Sequence, residues 1–286
     1  MKYLFLLFLL PSISLAATTI EIEPAKVELK MASGEATTTA VSIINRSDSA
    51  VAVTTEFQDF VAGDSPEVPA KLLGTATSTY GLQQFMSLPA VSRQFLLQPN
   101  ERRVVPLQIS LPAGTPAGGL YAGLVFAIDS PEQRDIHFTN GIASLFFVTV
   151  TGPTRAVGEL KDFSVQRTGS QITGYNYLFE NSGEIYLNPY GYVSLRDWRD
   201  REIYFTELRP AFVMPGSARL QKLPQNISLQ SGWYQAKIAL NRGYDNQIDQ
   251  KTVNIFIWPK WLGLVSALAA VLVWLLIWWR RSNRRQ

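Results

Sequence analysis

The chain carries one strand pattern twice, and this duplication constrains its fold more than any other feature of the sequence. The segment SIINRSDSAVAVTTEF at 42–57 is echoed by YLFENSGEIYLNPYGYVSL at 177–195. The segment at 96–128 is echoed, in the same order, by the segment at 212–240. Each copy runs from a strand through an Asn-containing turn into another strand. A repeated order of this kind indicates two copies of one module.

Apolar and polar residues alternate in short runs throughout the module, with Gly, Pro, Asn, Asp and Ser between the runs. One such run places its apolar residues at Val105, Leu107, Ile109 and Leu111. A period of two is typical of half-buried strands. About seven strands in a module of about 135 residues fit an immunoglobulin-like sandwich. We therefore predict an all-β fold with two tandem immunoglobulin-like β-sandwiches, one C-terminal transmembrane helix and an N-terminal signal peptide.

A Gly-Pro boundary signal separates the two modules. It lies in TGPTR at 151–155. The first sandwich is predicted over residues 17–152 and the second over residues 153–258.

The first module is longer than the second. Between Asn45 and Pro99 the chain advances 54 residues, but between the matching Asn181 and Pro215 it advances only 34. The extra residues are rich in Gly, Pro, Ser and Thr, so an inserted loop is predicted around residues 59–89.

Residues 1–16 have the pattern of an export signal. Lys2 precedes a short apolar run and a small-x-small cleavage site that ends at Ala16. The apolar run from Tyr3 to Leu10 is too short to cross a bilayer. The chain has no cysteine, so disulfides contribute nothing to its stability.

Residues 261–279 are uncharged and predict a transmembrane helix. Nineteen residues give about 28 Å of helix, which spans one bilayer. Tryptophans at both edges fit an interfacial belt, and the arginines of tail 280–286 place that tail in the cytoplasm. The predicted anchor, which contacts membrane lipid, comprises Trp261, Trp274, Trp278, Trp279, Arg280, Arg281, Arg284 and Arg285. The two sandwiches are then extracellular or periplasmic in a single-pass protein of the cell membrane.

Charge and residue inventory exclude several functions. Without the signal peptide and the tail, the chain has 21 Lys and Arg and 23 Asp and Glu, so its net charge is slightly negative. The basic pI of 9.0 therefore reflects the tail. This balance argues against nucleic acid as a partner. The sequence has a single histidine, His137, and no nucleophile motif that this histidine could activate. A zinc site would need several Cys or His ligands. We predict no catalysis and no cofactor.

A weak calcium site is the one metal site left open. Asp245, Asn246 and Asp249 share a turn but lack the Asp-x-Asp-x-Asp-Gly spacing of calcium loops. A polar hairpin turn is the simpler interpretation.

The glycine-rich stretch at 118–126 (GGLYAGLVF) aligns with SGWYQAKIAL at 231–240 and shares a tyrosine with it. It lacks the Gly-Lys-Ser/Thr ending of a phosphate-binding loop. Tyr121 and Tyr234 are therefore predicted to be structural tyrosine corners, in which the hydroxyl bonds to the backbone upstream.

Aromatic residues are concentrated in the second module. Tyr190 and Tyr192 share one face of a strand, and Trp198 follows in RDWRDRE. These three residues predict a possible ligand surface for protein or glycan contact. Placement in the core or along strands is the alternative.

The order of EPAKVEL, VSIINRSDSAVAV, LQPNERRVVPLQISLP and PAGGLYAGLVF, then a second sandwich and a terminal helix, resembles the bacterial surface family of WxL-interacting proteins. The resemblance implies that the first domain binds peptidoglycan or another cell-wall partner and that the second binds a host or surface protein. The function expected is a membrane-anchored binding protein of the bacterial cell envelope that engages cell-wall polymer or surface proteins. A looser resemblance to periplasmic pilus chaperones gives the alternative, an assembly factor for surface fibres that acts by strand donation.

Overall fold

A computed structural model of the chain describes residues 19–129, 140–259 and 261–282. The chain divides into two compact units. The first takes residues up to Val61 together with Leu72–Pro153, and the second takes Ala62–Lys71 together with the residues from Thr154. The predicted signal peptide, residues 1–16, lies outside the described residues, as does His137.

The first ten strands form two sheets. One has the order β1-β3-β8-β6, and the other has the order β2-β10-β9-β4-β5, with β7 also paired to β4. Single turns of 3₁₀ helix lie at Gln83–Phe85 and Ala90–Ser92. The strands are β1 (Ile20–Glu23), β2 (Lys26–Met31), β3 (Ala36–Asn45), β4 (Val51–Val61), β5 (Lys71–Leu72), β6 (Met86–Ser87), β7 (Gln94–Leu97), β8 (Arg102–Ser110), β9 (Gly118–Asp129) and β10 (Asn140–Val150).

The next seven strands form two further sheets, with the orders β11-β12-β15 and β14-β13-β16-β17. They are β11 (Gly158–Thr168), β12 (Gln171–Asn181), β13 (Tyr190–Asp197), β14 (Glu202–Leu208), β15 (Ser217–Ser228), β16 (Gly232–Asn241) and β17 (Ile248–Ile257).

The two units share their strand connectivity. The order β1-β3-β8 matches β11-β12-β15, and β10-β9-β4 matches β17-β16-β13. Two facing sheets of this order are the arrangement of an immunoglobulin-like sandwich. The all-β prediction is confirmed.

Each sandwich is held by the alternating side chains that its two sheets turn towards each other. In the first unit, Val41 and Ile43 of β3 face Phe126 of β9 and Phe146 of β10, and all four are fully buried. In a core of this kind, truncating one phenylalanine to alanine costs about 3–5 kcal/mol. Because the chain has no cysteine, packing of this sort carries the stability.

One buried asparagine closes the end of the first sandwich. The side-chain amide of Asn45 donates to the carbonyl oxygens of Ser49, Leu97 and Gln98 at 2.8, 3.2 and 3.1 Å. Its side-chain oxygen accepts from the N–H of Ser47 at 3.0 Å. This one side chain therefore ties the turn after β3 to the segment before β8.

Asn181 makes the same network in the second sandwich. Its amide donates to the carbonyl oxygens of Ile185 and Val213, both at 2.9 Å, and its side-chain oxygen accepts from the N–H of Gly183 at 2.9 Å. The sequence repeat pairs Leu97 with Val213, and these two residues supply equivalent carbonyls.

The turns that follow these carbonyls also match. Asn100 and Gly216 occupy the same position in the repeat, with φ of 58° and 65°. Glycine and asparagine are the residues that adopt this left-handed conformation most readily. The duplication therefore extends to backbone conformation.

The segment predicted as an inserted loop, 59–89, is more ordered than a loop. It holds β5, one turn of 3₁₀ helix and β6. The buried carboxylate of Asp59 accepts from the backbone N–H of Ser78 at 3.1 Å and of Gln83 at 2.9 Å. These bonds fix the insertion to the end of β4.

The α-helix of the described residues, α1 (Trp261–Ser282), covers the predicted membrane span 261–279. Among the residues that the structure describes, we find no helix that is both long enough and apolar enough to cross a membrane.

Replacing Asn181 by alanine is expected to lower the free energy of unfolding of the second unit by about 1–3 kcal/mol, because the carbonyls of Ile185 and Val213 and the N–H of Gly183 each lose a side-chain partner. Val213 keeps its bond from the N–H of Leu187. All seven tryptophans lie at position 198 or later, so tryptophan fluorescence during urea unfolding follows this unit alone. The exposed Asn226→Ala variant is the control and should change the free energy by less than about 0.5 kcal/mol. Equal effects from both variants would show that the network is not structural.

The core of the second unit contains a polar group without a partner. The hydroxyl of Tyr175 is buried and has no hydrogen bond among the described residues. Burial, with a smaller contribution from Tyr204, raises the pKa of Tyr175. By contrast, the Tyr244 hydroxyl accepts from the N–H of Gly158 at 2.9 Å.

Tyr175→Phe should therefore stabilise the second unit, by about 1 kcal/mol, because it removes a polar atom that is unpaired when buried. Tyr244→Phe should destabilise the same unit by a similar amount, because it removes a hydrogen bond. Both are measured by the urea midpoint of the tryptophan signal. A loss of stability in Tyr175→Phe would contradict the assignment of an unpaired hydroxyl.

Candidate functional site

The chain changes from one sheet to the other between β1 and β2, and β2 pairs with only part of β10. β1 pairs with β3 in one sheet, and β2 pairs in parallel with β10 in the other. Pro24 and Ala25 carry the chain from one sheet to the other. Since β2 pairs only with Leu145–Val150, the first half of β10 has no partner strand on that side among the described residues.

The first half of β10 presents backbone groups that have no partner in the part of the chain that the structure describes. The N–H of Leu145 donates to the oxygen of Ala25 at 2.9 Å. Successive residues of a strand turn to opposite edges, so Ala143 and Gly141 turn to the same edge as Leu145. Within the described ranges, no backbone group pairs with these two residues on that edge. We call Gly141–Ser144 the open edge; it ends where the Ser144 hydroxyl donates to the oxygen of Pro24 at 2.7 Å.

Apolar side chains lie beside the open edge. Ile142 is partly buried against the core of the first unit, and Ile20 and Ile22 of β1 are in the same state. β1 and β10 are in contact, although they belong to different sheets. The site therefore offers unpaired backbone groups next to incompletely covered apolar surface.

Tyr121 does not lie where a tyrosine corner would place it. Its neighbours Ala122 and Leu124 face the core, so Tyr121 is on the opposite face of β9. There it is fully buried against Phe60 and Phe147, with ring centroids 5.8 and 5.7 Å away. Three aromatic rings form a cluster on the outer face of this sheet.

The glycine before Tyr121 is explained by this placement. A side-chain carbon on Gly119 would lie 1.8 Å from the Tyr121 hydroxyl oxygen. Glycine at position 119 therefore leaves space for the Tyr121 ring, which lies over its own strand.

Tyr234 is on the core side of β16 and is half-buried. Its hydroxyl donates to the oxygen of Gln230, four residues upstream, at 3.1 Å. This is the bond expected of a tyrosine corner. Ala236 faces the core of the second unit as Ala122 faces that of the first, so the residue of β9 that matches Tyr234 is Leu120. The sequence alignment of the two tyrosines is therefore shifted by one residue.

The three residues predicted as a ligand surface are all exposed. Tyr190 and Tyr192 lie on the outer face of β13, and Trp198 lies in the turn between β13 and β14; they are 45%, 37% and 67% exposed. Tyr192 packs against Phe205 of β14, with centroids 5.3 Å apart. The alternative of a core position fails for these three residues, whereas Tyr175 and other aromatics of this module do lie in the core.

The turn that carries Trp198 is organised by Asp197. One carboxylate oxygen accepts from the N–H groups of Arg199 at 2.9 Å and Arg201 at 3.0 Å, and the other pairs with the Arg201 guanidinium at 2.7 Å. Burial raises the pKa of the Asp197 carboxyl, but the bonds from Arg201 and Arg199 outweigh burial and hold the pKa below its usual value.

The turn considered for calcium is occupied by other interactions. Asp249 pairs with Arg242 at 2.6 Å and accepts from the N–H of Leu160 at 2.8 Å. Asp245 and Asn246 adopt left-handed turn conformations. In the part of the chain that the structure describes, no group of three or more His, Cys, Asp or Glu side chains could hold a metal.

The predicted anchor residues fall on α1 as far as the structure describes them. Trp261, Trp274, Trp278 and Trp279 belong to the helix, as do Arg280 and Arg281. Arg284 and Arg285 lie outside the described residues.

Sequence reasoning missed the open edge, although a signal for it exists. In IEIEPAKVELKM the apolar positions are even before Pro24 and odd after Ala25. Since a shift of one residue reverses the face of a strand, the change of parity indicates that two strands with different partners meet here.

No protein-family model matches this chain, and no curated protein matches it. Similar solved structures include a complex titled chaperone-tip adhesin complex for CFA/I fimbriae biogenesis, with 10% identity and a TM-score of 0.41, covering 84% of this chain and 99% of that one. The CsuC-CsuE chaperone-tip adhesion subunit complex of Acinetobacter baumannii gives 13% identity and a TM-score of 0.40, with 84% and 99% coverage. The PapD-like domain 7 of human CEP192 gives 13% and 0.34, with 53% and 99% coverage. At these scores the similarity carries no argument about function.

Asp197→Ala is expected to loosen the turn that carries Trp198, because two backbone N–H groups and one guanidinium lose their acceptor. Hydrogen exchange at Arg199 and Arg201 should become faster. Acid should act in the same direction: the lowered pKa means that the stabilisation is present above the unfolded pKa and is lost as pH falls through the folded pKa. Asp200→Asn removes the charge of an exposed ion pair with Arg196 and keeps a residue that tolerates the left-handed φ of 61°. It is the control and should leave these amides unchanged.

Proposed function

We propose that this chain is a non-catalytic binding protein of the cell envelope that captures an extended segment of a partner protein as an added strand. The open edge of β10 carries the proposal. Gly141 and Ala143 turn backbone groups outward without a partner among the described residues. An added strand would satisfy these groups, which is how β-strand addition provides affinity.

The chemistry of the site favours an apolar, extended segment. Backbone hydrogen bonds contribute about 1 kcal/mol each and depend little on sequence. Selectivity then comes from the side chains that the captured strand turns inward. These would lie beside Ile20, Ile22 and Ile142, which are only partly covered, and each would bury apolar surface at about 25 cal/mol per Å².

The proposal is closer to the strand-donating assembly factor than to the wall-polymer receptor expected from the sequence. A polysaccharide has no repeating backbone amides to pair with an open strand edge. A secreted protein with an unpaired sheet edge does. The location in the envelope is part of the proposal and rests on the export pattern of residues 1–16.

Ala143→Pro tests the edge directly. Proline removes the one N–H that a partner strand would use at this position, and proline is tolerated where that N–H faces outward. We expect capture of a partner to fall by about tenfold or more, while unfolding of the first unit changes little. The measurement is crosslinking in cells from a photoreactive residue placed at position 141, with mass spectrometry to identify the partner segment.

Ala143→Val is the matched control, because it changes the side chain and keeps the N–H. Crosslinks should persist in this variant. A photoreactive residue at Thr252, on the outer face of β17, is the positional control and should not give the same crosslink. Equal crosslinking in Ala143→Pro and in the unmodified chain would overturn the proposal.

A further inference from the structure

Two adjacent shallow grooves lie on the outer face of the sheet β14-β13-β16-β17. One, of about 300 Å³, contains the exposed rings of Trp198 and Trp233. The other, of about 280 Å³, contains Tyr192 and Phe205. Arg196, Asp200 and Gln235 line both grooves, so the two form one continuous surface. We call this surface the aromatic groove.

The exposed rings of the aromatic groove are held in place by neighbours. Trp198 and Trp233 remain 67% and 60% exposed. Rings that are fixed before binding lose little conformational entropy when a ligand arrives. The supporting pairs are Trp198 with the Arg199 guanidinium at 4.4 Å, Trp233 with Phe256 at 4.6 Å and Tyr192 with Phe205 at 5.3 Å.

Charges in the aromatic groove largely cancel within it. Arg196 pairs with Asp200 at 3.0 Å, and the neighbouring Asp197 pairs with Arg201 at 2.7 Å. Lys237 and Glu202 line the second groove with one charge of each sign. The Arg199 guanidinium over the Trp198 ring adds one further positive charge. A strongly charged ligand therefore finds little excess of opposite charge here.

The groove also contains uncharged hydrogen-bonding groups. The amides of Gln235 and Asn254 line it, and each amide offers both donors and an acceptor. Ion-paired guanidinium and carboxylate groups offer further directional bonds. The groove therefore suits a ligand that is rich in hydroxyl groups and uncharged.

Strand addition cannot operate in the aromatic groove. Its floor is formed by β13 and β16, and each of these strands is paired on both edges. A ligand must bind to side chains alone. This separates the groove from the open edge of β10, where backbone groups are free.

We propose that the aromatic groove binds a neutral polysaccharide. A sugar ring has an apolar face of C–H groups, which packs on an exposed indole or phenol ring, and hydroxyls at its rim, which bond to amides and ion-paired side chains. Successive sugar units would pack on different exposed rings in the two grooves. The inference goes beyond strand capture and does not depend on it.

The test is isothermal titration of the full chain with two probes, the hexasaccharides of N-acetylglucosamine and of glucose. We expect at least one to bind, and we expect Trp198→Ala and Trp233→Ala each to raise its Kd by about tenfold or more. Tyr190 lies on β13, as Tyr192 does, and it is exposed but lines neither groove. Tyr190→Ala is therefore the matched control and should leave the Kd unchanged.

Three results would overturn the inference. The first is no binding of either hexasaccharide to a chain whose circular dichroism shows intact sheets. The second is binding that both tryptophan variants retain. The third is binding of a sulfated oligosaccharide with neither neutral probe bound, which would show that charge decides recognition. Ala143→Pro should bind the hexasaccharide normally, so failure of the groove and failure of the open edge are distinguishable.

Discussion

One buried asparagine in each unit satisfies the backbone where the chain passes from one sheet of the sandwich to the other. Asn45 stands at the last residue of β3, and Asn181 stands at the last residue of β12. Carbonyl groups at this crossing accept from the asparagine amide in addition to any backbone bond, as Val213 does with the N–H of Leu187. A buried polar group left unpaired costs about 1–3 kcal/mol. With these carbonyls satisfied, the two sheets can close on each other and bury their apolar faces. In a chain without cysteine, the sandwich depends on this closure.

Much of the fold follows from local pattern. The alternation of apolar residues predicts the strands, and the repeat identifies Asn45 and Asn181 before any contact is known. The strands and the repeat could be predicted because period and order are properties of the sequence alone. Tyr190, Tyr192 and Trp198 are exposed, and their role as a ligand surface stays a prediction.

Other features depend on register and partner, which a single sequence does not contain. Tyr121 and Tyr234 are the same residue type and each follows a glycine by two positions. Only the pairing of β9 and β16 with their neighbours shows that Tyr234 faces the core of its sandwich and Tyr121 does not. The insertion was predicted as a loop because strands of two residues have no period to detect. The groove depends on Trp233, which is remote in sequence from Trp198. The resemblance to WxL-interacting proteins stays a prediction, since no family model matches.

The chain's own β2 occupies part of the edge of β10 along which a captured strand would pair. The bond from the Ser144 hydroxyl to the oxygen of Pro24 marks where β2 begins to cover β10. The open edge, Gly141–Ser144, spans about 13 Å at 3.3–3.4 Å per residue. A guest that extends past Ser144 must bend away or displace β2 from its ladder. Among the described residues, the protein's own β2 therefore fixes the point at which a straight added strand must end on one side.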